Sequence, residues 1–439
     1  MKTGAFRPLY SADALSESRQ GWLRDTSALL TGTAVSGLLA YAYVVLGTRI
    51  YGAVEFAPIS VLWTIWAMSA AVITFPVQHW VIRTIEADGT EGTIRAALPL
   101  ILAAAVLLST MIGVIAWLAR STLFSDGGAL YPVLAATIPL GSVMVGLSRG
   151  TLAARRRFTA AAAAFATENL IRVVAAVIVV LAGWGSNAYA IALTFGFLVV
   201  VIWPSALRLT GQSSGATNAR TLSFLSGVAG GTLISQVVLT GGPVILASLG
   251  GAPASVTGLF STLALFRAPY ILATGLAARL TGWLTEVAVE GPRFMVRRLA
   301  WLTVCGVVGL TPLAAVFGAV VGSDLVRLVF GSDVSLRSDL VGVVAAGSTV
   351  ALGGLFSTLL LIAVGRGGAV IFPWVGALVV GFAWAILGPG QPLDRVTWAF
   401  LVAEVVAFVL MHMISSWAGA QSRLERSPSS VVKDESATT

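Results

Sequence analysis

Ionisable residues inside apolar stretches are the first candidates for chemistry in this sequence. Arg267 stands in Leu-Ala-Leu-Phe-Arg-Ala-Pro-Tyr, and no other charged residue occurs from 221 to 266. A charge at the bilayer centre costs about 2.5 to 3.5 kcal/mol on insertion scales, so it faces a cavity or a partner. A guanidinium stays charged and can donate two parallel hydrogen bonds, which suits a phosphate or pyrophosphate. The alternative is a structural pair with an acid on another helix.

Two acidic residues in apolar stretches have open interpretations. Glu168 and Arg172 are four residues apart, which places them on one helical face where they neutralise each other. This pair is compatible with a purely structural role and with a site for an anionic substrate. Glu404 has no cation in helical register within one turn. It either pairs with an arginine across a cavity or titrates as a proton-coupling site.

Gly241-Gly242-Pro243 interrupts another apolar stretch. Proline removes a backbone hydrogen bond and glycine permits bending, so we expect a break in the helix here. A hinge and a static kink are both compatible with this triplet.

Catalytic and metal-binding signatures are not found in the sequence. His79 and His412 are far apart and have no zinc-ligand spacing, and no phosphate-binding Walker loop is present. We therefore expect no metal, no cofactor and no enzymatic activity.

The elements that position these residues are membrane helices. The chain has 439 residues, of which 57% are hydrophobic and 10% charged, with a mean hydropathy of +0.91. Lipid must therefore be the solvent for most of it, and a bilayer needs about 20 apolar residues per helix. Twelve spans are predicted at about Thr26 to Gly47, Pro58 to Val81, Ala96 to Leu118, Ala129 to Leu147, Phe158 to Ala182, Ala188 to Leu207, Phe224 to Leu249, Thr257 to Ala278, Leu299 to Val321, Asp339 to Val364, Ala369 to Leu387, and Val396 to Trp417.

Basic residues between the spans predict the orientation. With twelve spans, 20 of the 27 lysines and arginines fall at the termini or in even-numbered loops, Arg149 among them, and only 5 on the other side, Arg49 among them. The positive-inside rule therefore predicts that both termini lie in the cytoplasm. We expect a multi-pass protein of the plasma (inner) membrane. The rule also explains the formal charge of +8 without nucleic-acid binding.

The polar stretch in mid-chain divides the spans into two groups of six. We predict a cytoplasmic N-terminal segment (1–25), an N-lobe (26–208), a cytoplasmic linker (209–220), a C-lobe (221–420) and a disordered cytoplasmic tail (421–439). Repeats of this kind place a substrate path between the halves. The predicted fold class is an all-α polytopic membrane protein with two six-helix lobes around a central cavity.

Four short stretches carry a resemblance to a known family. They are Gly47–Phe56 after the first span, Arg155–Phe158 before the fifth, Glu168–Arg172 within it, and Gly365-Arg366 after the tenth. With the architecture, they resemble the polysaccharide transporter branch, the O-antigen flippase type, of the multidrug/oligosaccharidyl-lipid/polysaccharide exporter superfamily. Related peptidoglycan-precursor flippases typically have fourteen spans, and multidrug relatives tend to have an acidic residue in the first span, which this chain lacks.

The resemblance implies a function and partners. It implies a flippase that moves a polyprenyl-diphosphate-linked oligosaccharide to the outer leaflet, with a glycan polymerase or glycosyltransferases of the same pathway as further partners. Related flippases use cavity arginines to bind the diphosphate, which implies this role for Arg267 and Arg172. Glu168, the partner of Arg172, would belong to the same substrate site, and Arg24 would contact the substrate at the cytoplasmic mouth. A multidrug-type exporter and a non-transporting scaffold of a glycan-assembly complex are the alternatives.

Overall fold

The computed structural model describes a defined part of the chain. It covers residues 12–88, 90–125, 128–211, 230, 232–289 and 293–424. Side chains are left out at residues 12–30, 87–88, 275, 278–279, 282, 289, 293 and 415–424. Most of the predicted linker and tail, and the Arg24 side chain, therefore lie outside the described residues.

The described ranges are helical and contain no strand. Numbered in chain order, the helices are α1 (Ala12–Ser69), α2 (Phe75–Asp88), α3 (Gly92–Leu118), α4 (Arg120–Leu123), α5 (Leu130–Ala154), α6 (Phe158–Leu181), α7 (Ser186–Phe195), α8 (Val199–Ile202), α9 (residues 232–240), α10 (Gly242–Ser248), α11 (Pro253–Phe266), α12 (Ala268–Val289), α13 (Arg293–Phe317), α14 (Ser323–Phe330), α15 (Ser338–Ala363), α16 (Ile371–Leu387) and α17 (Pro392–Leu424). Short π-helical segments follow α1 and α13, and 3₁₀ turns follow α7 and α8 and precede α16.

Each predicted span overlaps helices of the structure, and the all-α polytopic class is confirmed. Within the described residues, eight helical runs are long and apolar enough to cross a membrane, and a ninth is the bent pair formed by α11 and the start of α12. The number is below twelve because the first two predicted spans share one run, Thr31–Glu86, and the sixth is the shorter stretch Ser186–Ile202. The seventh begins outside the described residues and continues in α9 and α10.

Gly52 separates the first two predicted spans. Its φ of 71° and ψ of 179° interrupt the helical geometry of α1. A positive φ is strained for side-chain-bearing residues and accessible to glycine, so the chain changes direction here without a long loop. The connection between the spans is therefore a sharp break in one helical run.

Contacts divide the chain into two compact units. Unit 1 comprises Met1–Gly47, Ile73–Ile112 and Ala136–Leu225, and unit 2 comprises Thr48–Val72, Gly113–Ala135 and Ser226–Thr439. Unit 2 thus includes two stretches from the first half of the chain. The predicted lobes follow chain order, and they stay a prediction.

Small residues allow the helices of unit 2 to pack closely around α15. A Cβ on Gly342 would lie 2.6 Å from the Ala315 carbonyl oxygen of α13, and one on Gly347 would lie 2.6 Å from the Phe400 ring of α17. Since lipid solvates apolar side chains as well as protein does, close van der Waals packing of this kind holds membrane helices together.

Candidate functional site

Arg267 lies at a bend in unit 2. It follows the last residue of α11 as the C-cap residue, and the next helix, α12, turns away by 50°. Pro269 is the second residue of α12, and proline has no N–H to continue the helical hydrogen bonds of the preceding turn. The bend places the arginine at a helix junction instead of within a regular helix.

The hydrogen bonds of Arg267 leave part of its guanidinium unused. Its Nη2 donates to Thr240 Oγ1 at 3.1 Å, and Thr240 Oγ1 donates to Gln236 Oε1 at 2.9 Å. The Tyr270 ring centre lies 5.9 Å from its Cζ. Its Nε is buried and bonds to no described atom. Arg267 is therefore held by neutral groups and keeps an unused donor.

Glu404 on α17 supplies the opposite charge near this site. It is 1% exposed, and when it is ionised its charge attracts the Arg267 guanidinium. Among the described side chains, the ion pairs closer than 4.0 Å do not include these two residues. Glu404 Oε1 bonds to no described atom. Arg267 and Glu404 are thus coupled by charge without a direct ion pair. We call Gln236, Thr240, Arg267, Tyr270 and Glu404 the arginine site.

Glu168 and Arg172 form the predicted pair on α6 in unit 1. Arg172 Nη2 donates to Glu168 Oε1 at 2.5 Å. Arg172, which is 0% exposed, also donates to the Leu193 carbonyl at 2.8 Å and to Asn169 Oδ1 at 2.6 Å. Asn169 in turn donates to Ser36 Oγ on α1 at 2.8 Å. The spacing prediction is confirmed, and the pair is joined to neighbouring helices.

Arg149 corrects the loop assignment made from the sequence. It lies within α5, is 6% exposed, and donates from Nη2 to Glu168 Oε2. Its Cζ stands 3.8 Å from the Phe165 ring centre. Because α5 continues seven residues beyond Leu147, the predicted end of the span, Arg149 is inside the helix bundle. We call Arg149, Glu168 and Arg172 the buried triad; its formal charge is +1.

The predicted break at Gly241-Gly242-Pro243 is present. Residue 241 separates α9 from α10, and Pro243 stands in the first turn of α10. A Cβ on Gly241 would lie 2.5 Å from the Val237 carbonyl oxygen. The break follows Thr240 directly, so it lies beside the arginine site. Its role as a hinge stays a prediction.

Arg155, from the basic stretch before the fifth span, forms hydrogen bonds with other residues of unit 1. It donates from Nε to Glu91 Oε1 at 2.6 Å and from Nη2 to Glu91 Oε2 at 2.9 Å, and also to the Ser205 and Arg208 carbonyls. The Thr210 N–H donates to the same carboxylate at 2.9 Å. The Arg155 hydrogen bond lowers the pKa of Glu91 below its ordinary value. This cluster connects three loop segments of unit 1.

Within the part of the chain that the structure describes, no group of three histidine, cysteine, aspartate or glutamate side chains could hold a metal ion.

The sequence matches no family model and no curated protein. Solved structures with a similar fold include a multidrug resistance MATE family transporter of the MOP superfamily in an inward-facing conformation, with 15% identity, a TM-score of 0.62, and 89% of this chain and 96% of that chain covered. Lipid II flippase MurJ in an inward closed conformation has 12% identity and a TM-score of 0.61, with 88% and 87% covered. A MOP superfamily transporter from Pyrococcus furiosus has 15% identity and a TM-score of 0.57, with 93% and 96% covered. The chain therefore has the fold of these transporters, and the resemblance to the superfamily predicted from the sequence is confirmed at the level of the fold.

Proposed function

We propose that this protein is an alternating-access flippase that moves a polyprenyl-diphosphate-linked oligosaccharide from the inner to the outer leaflet for cell-surface polysaccharide synthesis. The observation that carries the proposal is Arg267, a half-buried cation at a helix bend that is held by neutral groups. A fold shared with a lipid II flippase supports a lipid-linked substrate.

The arginine site has the chemistry to bind a diphosphate. The Nε of Arg267 has no hydrogen bond, and its Nη2 bond to Thr240 is a neutral one that an anion can replace. Hydrogen bonds between a guanidinium and a phosphate are about twice as strong as those between neutral groups. The Thr240 hydroxyl and the Gln236 amide can then donate to the same anion.

Glu404 is the proposed coupling residue of this site. Its carboxylate attracts Arg267 from α17, so it competes with the phosphate groups for the same cation. Protonation of Glu404 would remove this competition and strengthen substrate binding. An ion gradient could thereby alter the affinity of the arginine site during the transport cycle.

The buried triad differs from the arginine site in accessibility. Arg172 is fully enclosed, and its hydrogen bonds join α6 to the Leu193 carbonyl. Binding of a substrate there requires a rearrangement of these contacts. We therefore infer that Arg172 and Glu168 chiefly stabilise unit 1, and that Arg267 makes the main contact with the diphosphate. Arg24 remains a proposed contact at the cytoplasmic mouth.

Replacement of Arg267 tests the proposal directly. We expect Arg267→Ala to lower export of the surface glycan by about tenfold or more, since it removes a charged hydrogen-bonding group from the substrate site. The lipid-linked intermediate should accumulate on the cytoplasmic side. Glycan analysis and extraction of the lipid intermediate measure both effects.

The control is Arg120→Ala, because the Arg120 side chain is exposed and its described contacts, a hydrogen bond to the Trp117 carbonyl and a position over the Trp117 ring, are local. This variant should export the surface glycan at the normal level. Protein in the membrane is quantified for both variants. Normal export by Arg267→Ala at a normal protein level would remove this residue from the mechanism.

A multidrug-type exporter is the second candidate. Multidrug MATE transporters are among the structures with the same fold, and the buried Glu404 carboxylate could pair with an organic cation. This function predicts drug sensitivity on deletion with an unchanged surface glycan. The flippase predicts the reverse pattern, so one deletion strain distinguishes the two.

A further inference from the structure

Unit 2 joins segments from the first and second halves of the chain. The stretch Thr48–Val72 belongs to this unit with residues 226–439. The distribution of basic residues assigns Arg49 to the outer side of the membrane. Contacts made by residues 49–56 therefore lie at the predicted outer end of the helices.

Arg49 bonds to the end of a helix from the other half. Its Nε donates to the Val329 carbonyl at 2.9 Å, and its Nη2 donates to the Leu328 carbonyl. Both carbonyls belong to the last turn of α14, where helical carbonyls lack intrahelical donors. A cation at a helix C-terminus is also favoured by the helix dipole. Arg49 thus caps α14 across a sequence separation of 280 residues.

Two glycines with positive φ shape this contact. Gly52 has a φ of 71° and Gly331, which follows α14, has a φ of 113°. A Cβ on Gly331 would lie 3.6 Å from Arg49 Cα, and one on Gly52 would lie 3.5 Å from Asp333 Oδ2. The backbones of the two segments therefore approach each other closely on both sides of the arginine.

A second hydrogen bond and an aromatic pair continue the contact along α11. Thr257, which is 0% exposed, donates from Oγ1 to the Ala53 carbonyl at 2.6 Å. The Phe56 and Phe260 ring centres are 6.3 Å apart. The neighbouring first-half helix α4 packs against α10 in the same unit. The contact is therefore continuous from α14 to α11.

We propose that Arg49 and Thr257 form a latch that holds the outer end of the transport path closed, and that this latch opens when the path opens to the outside. Its parts are the Arg49 bonds to α14 and the Thr257 bond to the Ala53 carbonyl. Both bonds end on backbone carbonyls, so the latch does not depend on a charge partner that substrate or protons would neutralise. Its role in transport rests on the proposed alternating access.

Cysteine labelling tests the latch. Ala53 is 5% exposed in the closed contact, and Cys305, the only native cysteine, is exposed and is first replaced by alanine. In that background, Ala53→Cys reports opening by its reaction with a membrane-impermeant maleimide added outside intact cells. We expect Arg49→Ala to raise the labelling rate about tenfold, because loss of charged hydrogen bonds shifts a two-state equilibrium by roughly that factor. Arg49→Lys should give a smaller rise, because an ammonium lacks the planar fork that bonds two carbonyls.

Two further variants make the result decisive. Thr257→Val keeps the shape of the side chain and removes its hydrogen bond, so it should also raise the rate. Arg395→Ala is the matched control, because Arg395 caps α16 by donating to the Ile386 carbonyl within the second half, and it should leave the rate unchanged. Rates equal to the parent's in both Arg49→Ala and Thr257→Val, at normal protein levels, would overturn the latch. Labelling needs no substrate, so this result is separate from failure of the flippase proposal.

Discussion

Arg172 occupies a space that depends on the absence of a side chain at position 196. A Cβ on Gly196 would lie 2.4 Å from Arg172 Nε and 2.5 Å from its Cζ. Gly196 itself has helical φ and ψ, so the requirement comes from close approach and not from backbone strain. The buried triad is therefore built from its charged residues together with one small residue.

Gly196→Ala should destabilise the protein through this contact. The added methyl group pushes the Arg172 guanidinium away from Glu168 and Asn169, and overpacking of this kind costs about 1 to 3 kcal/mol. We expect a lower melting temperature of the purified protein in detergent. Gly37→Ala in α1, where an added Cβ meets nothing within 4 Å, is the control and should melt normally. Equal melting temperatures of the two variants would show that Arg172 can move without a loss of stability.

At the scale of elements, the bend between α11 and α12 determines where Arg267 stands. The arginine side chain leaves the chain at the junction, beside α9 and the break at residue 241. In a straight helix, the same residue would take part in the regular backbone hydrogen bonds, and its side chain would lie along the helix. The bend therefore contributes to the site as directly as the arginine does.

Pro269→Ala tests the contribution of the bend. Alanine restores an N–H that can bond to the preceding turn, so we expect the bend to relax and export to fall although Arg267 is retained. Spin labels at Ala252 and Glu286 measure the change. Straightening of the helix should lengthen the distance between the two labels by about 5 Å, given a rise of about 1.5 Å per residue.

The control for the bend is Pro312→Ala. Pro312 lies inside α13, which forms part of a single run from Phe294 to Phe330. This variant should leave the distance between the two labels unchanged. An unchanged distance in Pro269→Ala as well would show that packing, and not the proline, produces the bend.

At the scale of the whole molecule, contacts group the chain differently from its order. Two stretches of the first half, Thr48–Val72 and Gly113–Ala135, belong to unit 2, whereas the loops of unit 1 are connected by Arg155 and Glu91. The stability of unit 1 therefore depends in part on an ion pair between loops, whereas the proposed transport cycle depends on contacts that open and close. The residues of the ion pair differ from those of the proposed latch.

The Glu91 cluster predicts how stability depends on pH. The Arg155 hydrogen bond lowers the pKa of Glu91 below the ordinary value of 4.5, so its stabilisation is complete above that value and is lost as pH falls through the lowered pKa. We expect the melting temperature in detergent to drop over this acidic range. Glu91→Gln should melt lower than the parent near pH 6 and show a smaller acid-induced decrease. Parallel pH profiles for the two proteins would contradict this assignment.

The sequence by itself determined the class of the protein and its local features. Hydropathy predicted the helical segments, four-residue spacing predicted the Glu168–Arg172 pair, and Gly241 to Pro243 predicted a break, because each depends on neighbouring residues along one helix. Only the tertiary structure placed Arg149 on Glu168, Thr240 beside Arg267, and Arg49 on α14. These contacts join residues 19, 27 and 280 positions apart. They depend on how the helices pack, which periodicity along a single helix does not encode.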